Sequence, residues 1–503
     1  MAAKILSRVS RNWGFGVSEG ITRVRVFSTG KAQDSIFKRI SPLGDPGTSV
    51  VPLLEEWVRE GRKVHKSDLQ SLVKEMRRYR RYKHALEISQ WMGDLWNLSA
   101  SDNAIRLELI CKVHGLEYAE DYFESIPQYL KTFQVYGALL NCFVDKRLVE
   151  KAETLVKEMN KFGLVDSSLT YNALMNLYTH TGQSEKLDLL LEDMRAKRIR
   201  PNLFTYCLRL NACVLVLDIE GMERILKRME KEPHIVVNWV SYASVANGYI
   251  KAGFVDKAGA MLKKAEATLA NGVVARGRRN AYNYLLTLYA SIGLKTEVYR
   301  IWELVRSLSG KLQNSSYICM ISSLVKIGDI EGAEKVLGEW DSSCVNYDFR
   351  VPMPLLSFYC KNGLVGKAEE FVNSALERQR VPSPNVWHIL AGGYLENSHI
   401  LMAVEAMKKA LKAHQPGWLP DWCTVTAILE YFEGHGDLER IEEFIGLLRP
   451  VASLTREVYH TLFRMYIASG KPVLSLIEMM KEDNVDPSEE TRAIVDGKTL
   501  RVL

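Results

Sequence analysis

Long apolar runs, paired cysteines and proline are what this sequence has least of. No stretch approaches the roughly 18 uninterrupted apolar residues that a membrane-spanning helix requires, so no span is expected. The eight cysteines, Cys111, Cys142, Cys207, Cys213, Cys319, Cys344, Cys360 and Cys423, form no CxxC pair and are joined by no cluster of His. Neither a zinc site nor a dithiol redox motif can be drawn from them, and buried thiols are the expectation. With 15 Pro in 503 residues there is little material for the many tight turns of an all-β protein. Signatures of catalysis are scarce too: HExxH and GxxxxGK do not occur, and the HxxE at His84 to Glu87 falls inside a helix-periodic stretch. The expectation is a non-enzymatic chain with no cofactor, no metal and no small-molecule substrate.

What is present is length, helical patterning and an uneven charge. A chain of 503 residues exceeds one compact core, so several domains or an open-ended array are expected. The formal charge is +6, yet residues 1–100 carry 18 Lys and Arg against 10 Asp and Glu, which leaves the other 403 residues near −2. Any attraction to nucleic acid over that larger part has to come from local patches.

Residues 1–30 have the composition of an organellar address. Lys4, Arg8, Arg11, Arg23 and Arg25 face a single acid, Glu19, among scattered Ser. As a helix, the start puts Lys4, Arg8 and Arg11 on one face and Ile5, Val9 and Trp13 on another. The run Arg25 to Ser28 resembles a mitochondrial processing pattern. A cleaved transit peptide to the mitochondrial matrix is expected, with the chloroplast as the alternative.

A frame of 35 residues then repeats to the end. It is anchored on Leu169-Thr170-Tyr171-Asn172-Ala173-Leu174, Gly182, Met194 and Arg200-Pro201-Asn202. Gly253, Gly293, Gly328, Gly363, Gly436 and Gly470 fall in the slot of Gly182, and Ala85, Ala152, Ala258, Ala333, Ala368 and Ala403 in the slot of Leu187. Repeats therefore start at Lys66, Ser101, Phe133, Ser168, Leu203, Trp239, Arg279, Asn314, Phe349, Pro384, Trp422 and Arg456, ending near Ser488. Six of the twelve are 35 residues long and the rest run from 32 to 40. Each reads as two helices: Leu169, Leu174 and Leu177 mark a face of the first, Gly breaks it with a positive φ, and Leu187, Leu190, Leu191 and Met194 mark the second. One such hairpin cannot bury its apolar face alone, whereas stacked copies can. The division expected is 1–30 transit peptide, 31–65 capping segment, 66–488 repeat array and 489–503 tail. In the capping segment Ser49 suits an N-cap, Pro52 a helix start and Gly61 its end.

With these anchors at this period, the chain resembles the pentatricopeptide repeat family. The segments Arg39 to Pro46, Leu54 to Gly61 and Arg77 to Glu87 are further similar to short plant organellar members made of plain repeats, the P-class. The resemblance implies an all-α fold, a right-handed solenoid superhelix of about twelve helix-turn-helix repeats. It also implies single-stranded RNA in the inner groove at about one base per repeat, acting in mitochondrial RNA metabolism or translation. In the family the fifth and last residues of a repeat choose the base and the second stacks on it. Carried over, this gives Asn172 and Asn202 with Leu169 in the fourth repeat, resembling a pyrimidine reader, then Cys207 and Asn238 with Phe204, Ala243 and Arg278 with Val240, and Asn283 with Gln313. Only the pair Asn172 and Asn202 matches; the others depart from the pattern, with stacking but no readable base choice in the fifth and sixth repeats, and Ile318 and Met353 cannot hydrogen-bond a base edge. The family places a phosphate-contacting Lys two positions before the break glycine, which gives Lys251, Lys326 and Lys361, with Arg78 in that slot of the first repeat. Charge complementing the helix dipole is the competing reading of these.

The run Lys74 to Lys83, holding Arg77, Arg78, Arg80 and Arg81 beside Tyr79 and Tyr82, is the densest basic and aromatic cluster and suits phosphate pairing and base stacking. A solvated helix end accounts for it equally. Two readings stay open: an RNA-binding adaptor, and a scaffold that contacts mitochondrial ribosomal RNA and ribosomal proteins.

Overall fold

The computed structural model describes residues 35–44, 47–272, 275–344, 346–415, 417–495 and 497. The expected transit peptide lies outside the described residues. Among those residues every regular element is helical, and from Lys66 to Glu482 they form twelve hairpins. Nine of the twelve starts read from the sequence are the first residue of the first helix of a hairpin, among them Ser168, Leu203, Trp239 and Asn314.

Three starts differ, each for a local reason. The second hairpin begins at Ala100 because Ser99 caps it and Asp102 reaches back to the Ser99 amide. In the seventh, the helix Ala275–Ser291 runs through Arg279 without a break. In the ninth, Pro352 disfavours helical geometry at the residue before it, and the helix is Met353–Lys361.

The fifteenth position of every repeat, counted from the starts read in the sequence, is left-handed. Gly182, Gly253, Gly293, Gly328, Gly363, Gly436 and Gly470 all have positive φ, and so does Gly115 in the second hairpin. Where glycine is missing the backbone keeps the conformation: Arg80, Arg147, Leu217 and Ser398 sit at φ between 58° and 63°. After this turn the small-residue slot packs against the neighbouring helix: Ala85, Ala152, Ala258, Ala333, Ala368 and Ala403 are all fully buried. Met159, Met194 and Met229, which close the second helices, are also inaccessible. The expected face of the first helix needs one correction. Leu174 and Leu177 are buried, whereas Leu169 in the first turn is 52% exposed, because it points off the face that Leu174 and Leu177 share. The thiols need another: Cys111, Cys142, Cys213 and Cys360 are buried, but Cys423 is exposed.

The chain forms two compact bodies, divided after Ile199. In the first, helices Ile36–Ile40 and Val51–Arg59 close the end of the array. Ile40, Val50 and Leu54 join Leu69, Leu72, Met76, Leu86 and Ile88 in one core. Glu87 accepts from the Ser49 hydroxyl at 3.0 Å and the Val50 amide at 2.8 Å, and His84 Nε2 lies 3.0 Å from the Thr48 carbonyl. The HxxE pair is thus a clasp for the capping segment.

The second body ends in a short helix, Glu489–Val495, in the segment expected as tail. Within each body a clamp recurs between neighbouring hairpins, in which a tyrosine of one first helix and a lysine of the following second helix share the preceding hairpin's glutamate. Tyr178 Oη donates to Glu153 at 2.8 Å and Lys186 at 2.7 Å in the first body. Tyr249 and Lys257 meet Glu223 at 2.7 and 2.9 Å in the second. Tyr359 and Lys367 share Glu334 in the same manner. The lysine also lies over the tyrosine ring, at 5.1 Å for Lys186 and 5.4 Å for Lys257.

Candidate nucleic-acid interface

In eight of the twelve hairpins the last residue of the preceding repeat is the N-cap of the first helix, as at Asn202, Asn238 and Asp421. Four backbone amides at a helix start lack intrahelical partners, which favours Asn, Asp, Ser or Thr there. Asn202 Oδ1 accepts from the Thr205 amide at 2.9 Å and its hydroxyl at 3.0 Å. Asn238 Oδ1 accepts from the Ser241 amide at 3.1 Å and its hydroxyl at 3.2 Å. Asp421 caps Thr424 and Ser488 caps Thr491 in the same register. The slots that the resemblance assigns to base choice therefore also start helices.

The fifth residues converge on the same place. Cys207 Sγ lies 3.4 Å from Ser241 Oγ, the hydroxyl that Asn238 holds. Asn283 is 5% exposed, donates Nδ2 to the buried Ser316 Oγ at 3.0 Å, and its Oδ1 is buried with no hydrogen-bond partner among the described residues. His460 Nε2 lies 2.9 Å from Thr491 Oγ1, which in turn is 3.1 Å from Ser488 Oγ. In the first body Gln70 donates to Asp102 at 2.8 Å, and Ser99 caps that same carboxylate. Asn172 is buried.

At Ser241 and Thr491 the third residue of the following helix thus joins the two slots that the resemblance assigns to base choice. Sequence reasoning missed it, although the spacing shows it: Asn202-x-x-Thr205, Asn238-x-x-Ser241, Asp421-x-x-Thr424 and Ser488-x-x-Thr491.

Other slots fare unequally. Leu169 is well exposed at the second position, while Phe204 and Val240 are half-buried. Asp348 is occupied by Arg350 at 2.7 Å and Asn314 at 3.0 Å; the Arg350 guanidinium holds its carboxyl down at about 2. Burial pushes the His388 imidazole below its ordinary value, and the Asp421 charge opposes that shift. Lys251 and Lys361 end their first helices exposed, and no ion pair is recorded for either among the described residues. Lys326 is exposed and donates to Ser291 Oγ at 2.8 Å.

The basic and aromatic cluster is largely occupied within the fold. Arg77 pairs with Glu108. Arg81 donates to the Ser41 carbonyl at 3.2 Å, tying down the capping segment. Arg78 pairs with Glu75 at 3.2 Å and lies 5.0 Å over the Tyr79 ring. Arg80 is exposed in the left-handed slot. Sequence reasoning also passed over a second basic strip, Arg224, Lys227, Arg228 and Lys231, which one face of the helix Ile219–Lys231 presents to solvent. Its spacing of three and four residues is the readable signal.

Comparison with known proteins follows the same frame. The model described as PPR repeat family matches residues 166–214, and that described as PPR repeat matches 134–164, 240–266, 315–345 and 355–379. A mitochondrial pentatricopeptide repeat-containing protein of Arabidopsis thaliana is 40% identical over 417 residues, which cover 82% of this chain and 84% of the relative. A second mitochondrial one from that plant is 36% identical over 470 residues, covering 92% and 94%. Its large ribosomal subunit protein mL101 (rPPR4) is 32% identical over 471 residues, covering 92% and 94%. With whole-length relatives at these identities and twelve hairpins in one register, the chain belongs to the pentatricopeptide repeat family.

Proposed function

We propose that this chain binds single-stranded RNA along the N-terminal turns of its first helices and serves mitochondrial RNA metabolism or translation by binding, not turnover. The observation that carries the reading is the recurrence of one polar arrangement, an N-cap, a fifth residue and a third-position group in hydrogen-bonding reach, at Asn238, Cys207 and Ser241 and again at Ser488, His460 and Thr491. Lys251, Lys326 and Lys361, exposed at one common slot, add a route to the phosphates. Asn172 and Asn202, with Leu169, remain the pair whose residue types match a pyrimidine reader. Arg78 and Arg80 are the exposed arginines of the basic cluster. The mitochondrial names of two whole-length relatives support the compartment.

A second reading has its own support. The relative mL101 is a ribosomal subunit protein. Ala243, Ile318 and Met353 in base-choosing slots offer no side-chain hydrogen bond, which a structural contact to folded rRNA would not need.

Crosslinking the tagged protein in intact mitochondria and sequencing the bound RNA separates the two. Crosslinks at a few transcript sites, with the protein sedimenting away from ribosomes, support the adaptor. Stoichiometric migration with a ribosomal subunit supports the scaffold. Absence of any RNA crosslink would overturn both.

A further inference from the structure

The helix Ile219–Lys231 divides its side chains among three faces. Met222, Leu226 and Met229 are buried in the stack. Glu223 and Glu230 turn to the sixth hairpin. There Glu223 accepts from Lys257 at 2.9 Å and Tyr249 at 2.7 Å, and Glu230 accepts from Lys264 at 3.1 Å and Tyr242 at 3.2 Å. The stack thereby occupies these two acids and leaves the bases outside. Arg224, Lys227, Arg228 and Lys231 are exposed and line a shallow, open recess of about 480 Å³. Glu232 closes one end of it, where Arg228 at 3.8 Å and His234 at 3.6 Å engage its carboxylate. For Arg224, Lys227 and Lys231 no ion pair is recorded among the described residues. Other second helices of the same body engage their cations with acids: Arg300 with Glu266, Lys367 with Glu334 and Arg440 with Asp437.

At positions i, i+3, i+4 and i+7 the four cations form a single row, roughly 10 Å long. A nucleic-acid double helix carries one negative charge per ~1.7 Å of its axis, so a row of that length meets several phosphates at once. No aromatic ring is among the residues lining the recess. A single strand is held by rings on which its bases stack as well as by cations. An A-form helix has its bases already stacked on one another and is met through phosphates and 2′-hydroxyls, so it needs no such ring.

We propose that this row is a docking site for the phosphate backbone of double-helical RNA, separate from the slots proposed for a single strand. The inference deepens the RNA-binding reading above and rests on it. A chain so built holds a strand at its first helices and an RNA stem at the second helix of the fifth hairpin.

Filter binding of the full chain to an RNA duplex of about 16 base pairs, across a salt series, tests it. Each phosphate neutralised on a duplex contributes about −0.9 to the slope of log affinity against log salt, so three cations predict a slope of about −2.7. The triple variant Arg224→Ala, Lys227→Ala, Lys231→Ala should bring that slope near zero and weaken duplex binding about tenfold or more at low salt, whereas Arg224→Lys alone should keep it. Because the three side chains are exposed, the triple variant should melt at the wild-type temperature, and it should bind single-stranded RNA as wild type does. Duplex affinity that the triple variant leaves unchanged overturns the inference. Loss of single strands and duplex alike also overturns it, since the row would then belong to the single-strand site. Single strands bound with no duplex binding overturn it while leaving the function standing; a polyglutamate peptide held by wild type and released by the triple variant would then assign the row to an acidic protein segment. No binding to any RNA overturns the function on which it rests.

Discussion

Leu217 holds a left-handed backbone, φ 58°, in a slot that glycine fills in eight of the twelve hairpins. For an L-residue that conformation costs roughly 1–2 kcal/mol. Glycine would remove the cost and give back part of it through the greater entropy of the unfolded chain, roughly 0.5–1 kcal/mol. Leu217 is 49% exposed, so its side chain contributes modestly to the core. Leu217→Gly is therefore expected to stabilise the fifth hairpin by about 0.5–1 kcal/mol. Native-state hydrogen exchange of amides in Leu203–Val216 and Ile219–Lys231 reads this locally, and faster exchange there would contradict it. The same residue shows what the sequence conceals. The glycine slot is legible wherever glycine stands, but nothing in Leu217, Arg147 or Ser398 announces a positive φ; the stack imposes it.

At the scale of the helical hairpin, register was legible because N-caps and break residues recur in type as well as in spacing. It failed at Phe349 because the frame was carried through Pro352, whose ring restricts the residue before it. The third-position hydroxyls escaped notice because base-choosing residues were read one repeat at a time, whereas Asn283 and Ser316 belong to different repeats. The clamps between hairpins were likewise split across repeats. They carry a pH dependence with a definite sign. Hydrogen bonds from Lys186 and Tyr178 hold the Glu153 carboxyl below its ordinary 4.5, and Lys257 and Tyr249 do the same for Glu223. The Lys295 ammonium lowers Asp329 in the same way. Since the folded values lie below the unfolded ones, the unfolded chain takes up protons first as pH falls. The clamps' contribution is whole above about 4.5 and is lost as pH drops through the folded values. Melting followed by circular dichroism should thus fall steeply below about pH 4.5, and Glu223→Gln should weaken that dependence. A melting temperature level between about pH 6 and pH 3.5 would exclude the clamps as a stabilising feature.

For the whole molecule, charge decides how RNA is held. Residues 101–503 carry a net charge near −2, so no broad positive field draws a polyanion to the repeats. On the proposed function, attraction there passes through local cations, first the exposed Lys251, Lys326 and Lys361 at one slot, all in the second body. Each phosphate neutralised on a single strand contributes about −0.7 to the slope of log affinity against log salt. Three such contacts predict a slope of about −2, shallow for a nucleic-acid-binding chain of this length. Lys251→Ala and Lys361→Ala should each reduce its magnitude by about 0.7, weakening binding equally for all sequences while base preference stays unchanged. Filter binding over a salt series measures both quantities. A slope much steeper than −2 that survives all three Lys→Ala changes would move the phosphate contacts elsewhere, first to the strip of Arg224, Lys227, Arg228 and Lys231 on the second helix of the fifth hairpin. Because that strip lies on a second helix while the slots proposed for base choice lie at first helices, such a result would favour contact with folded RNA over a strand read base by base.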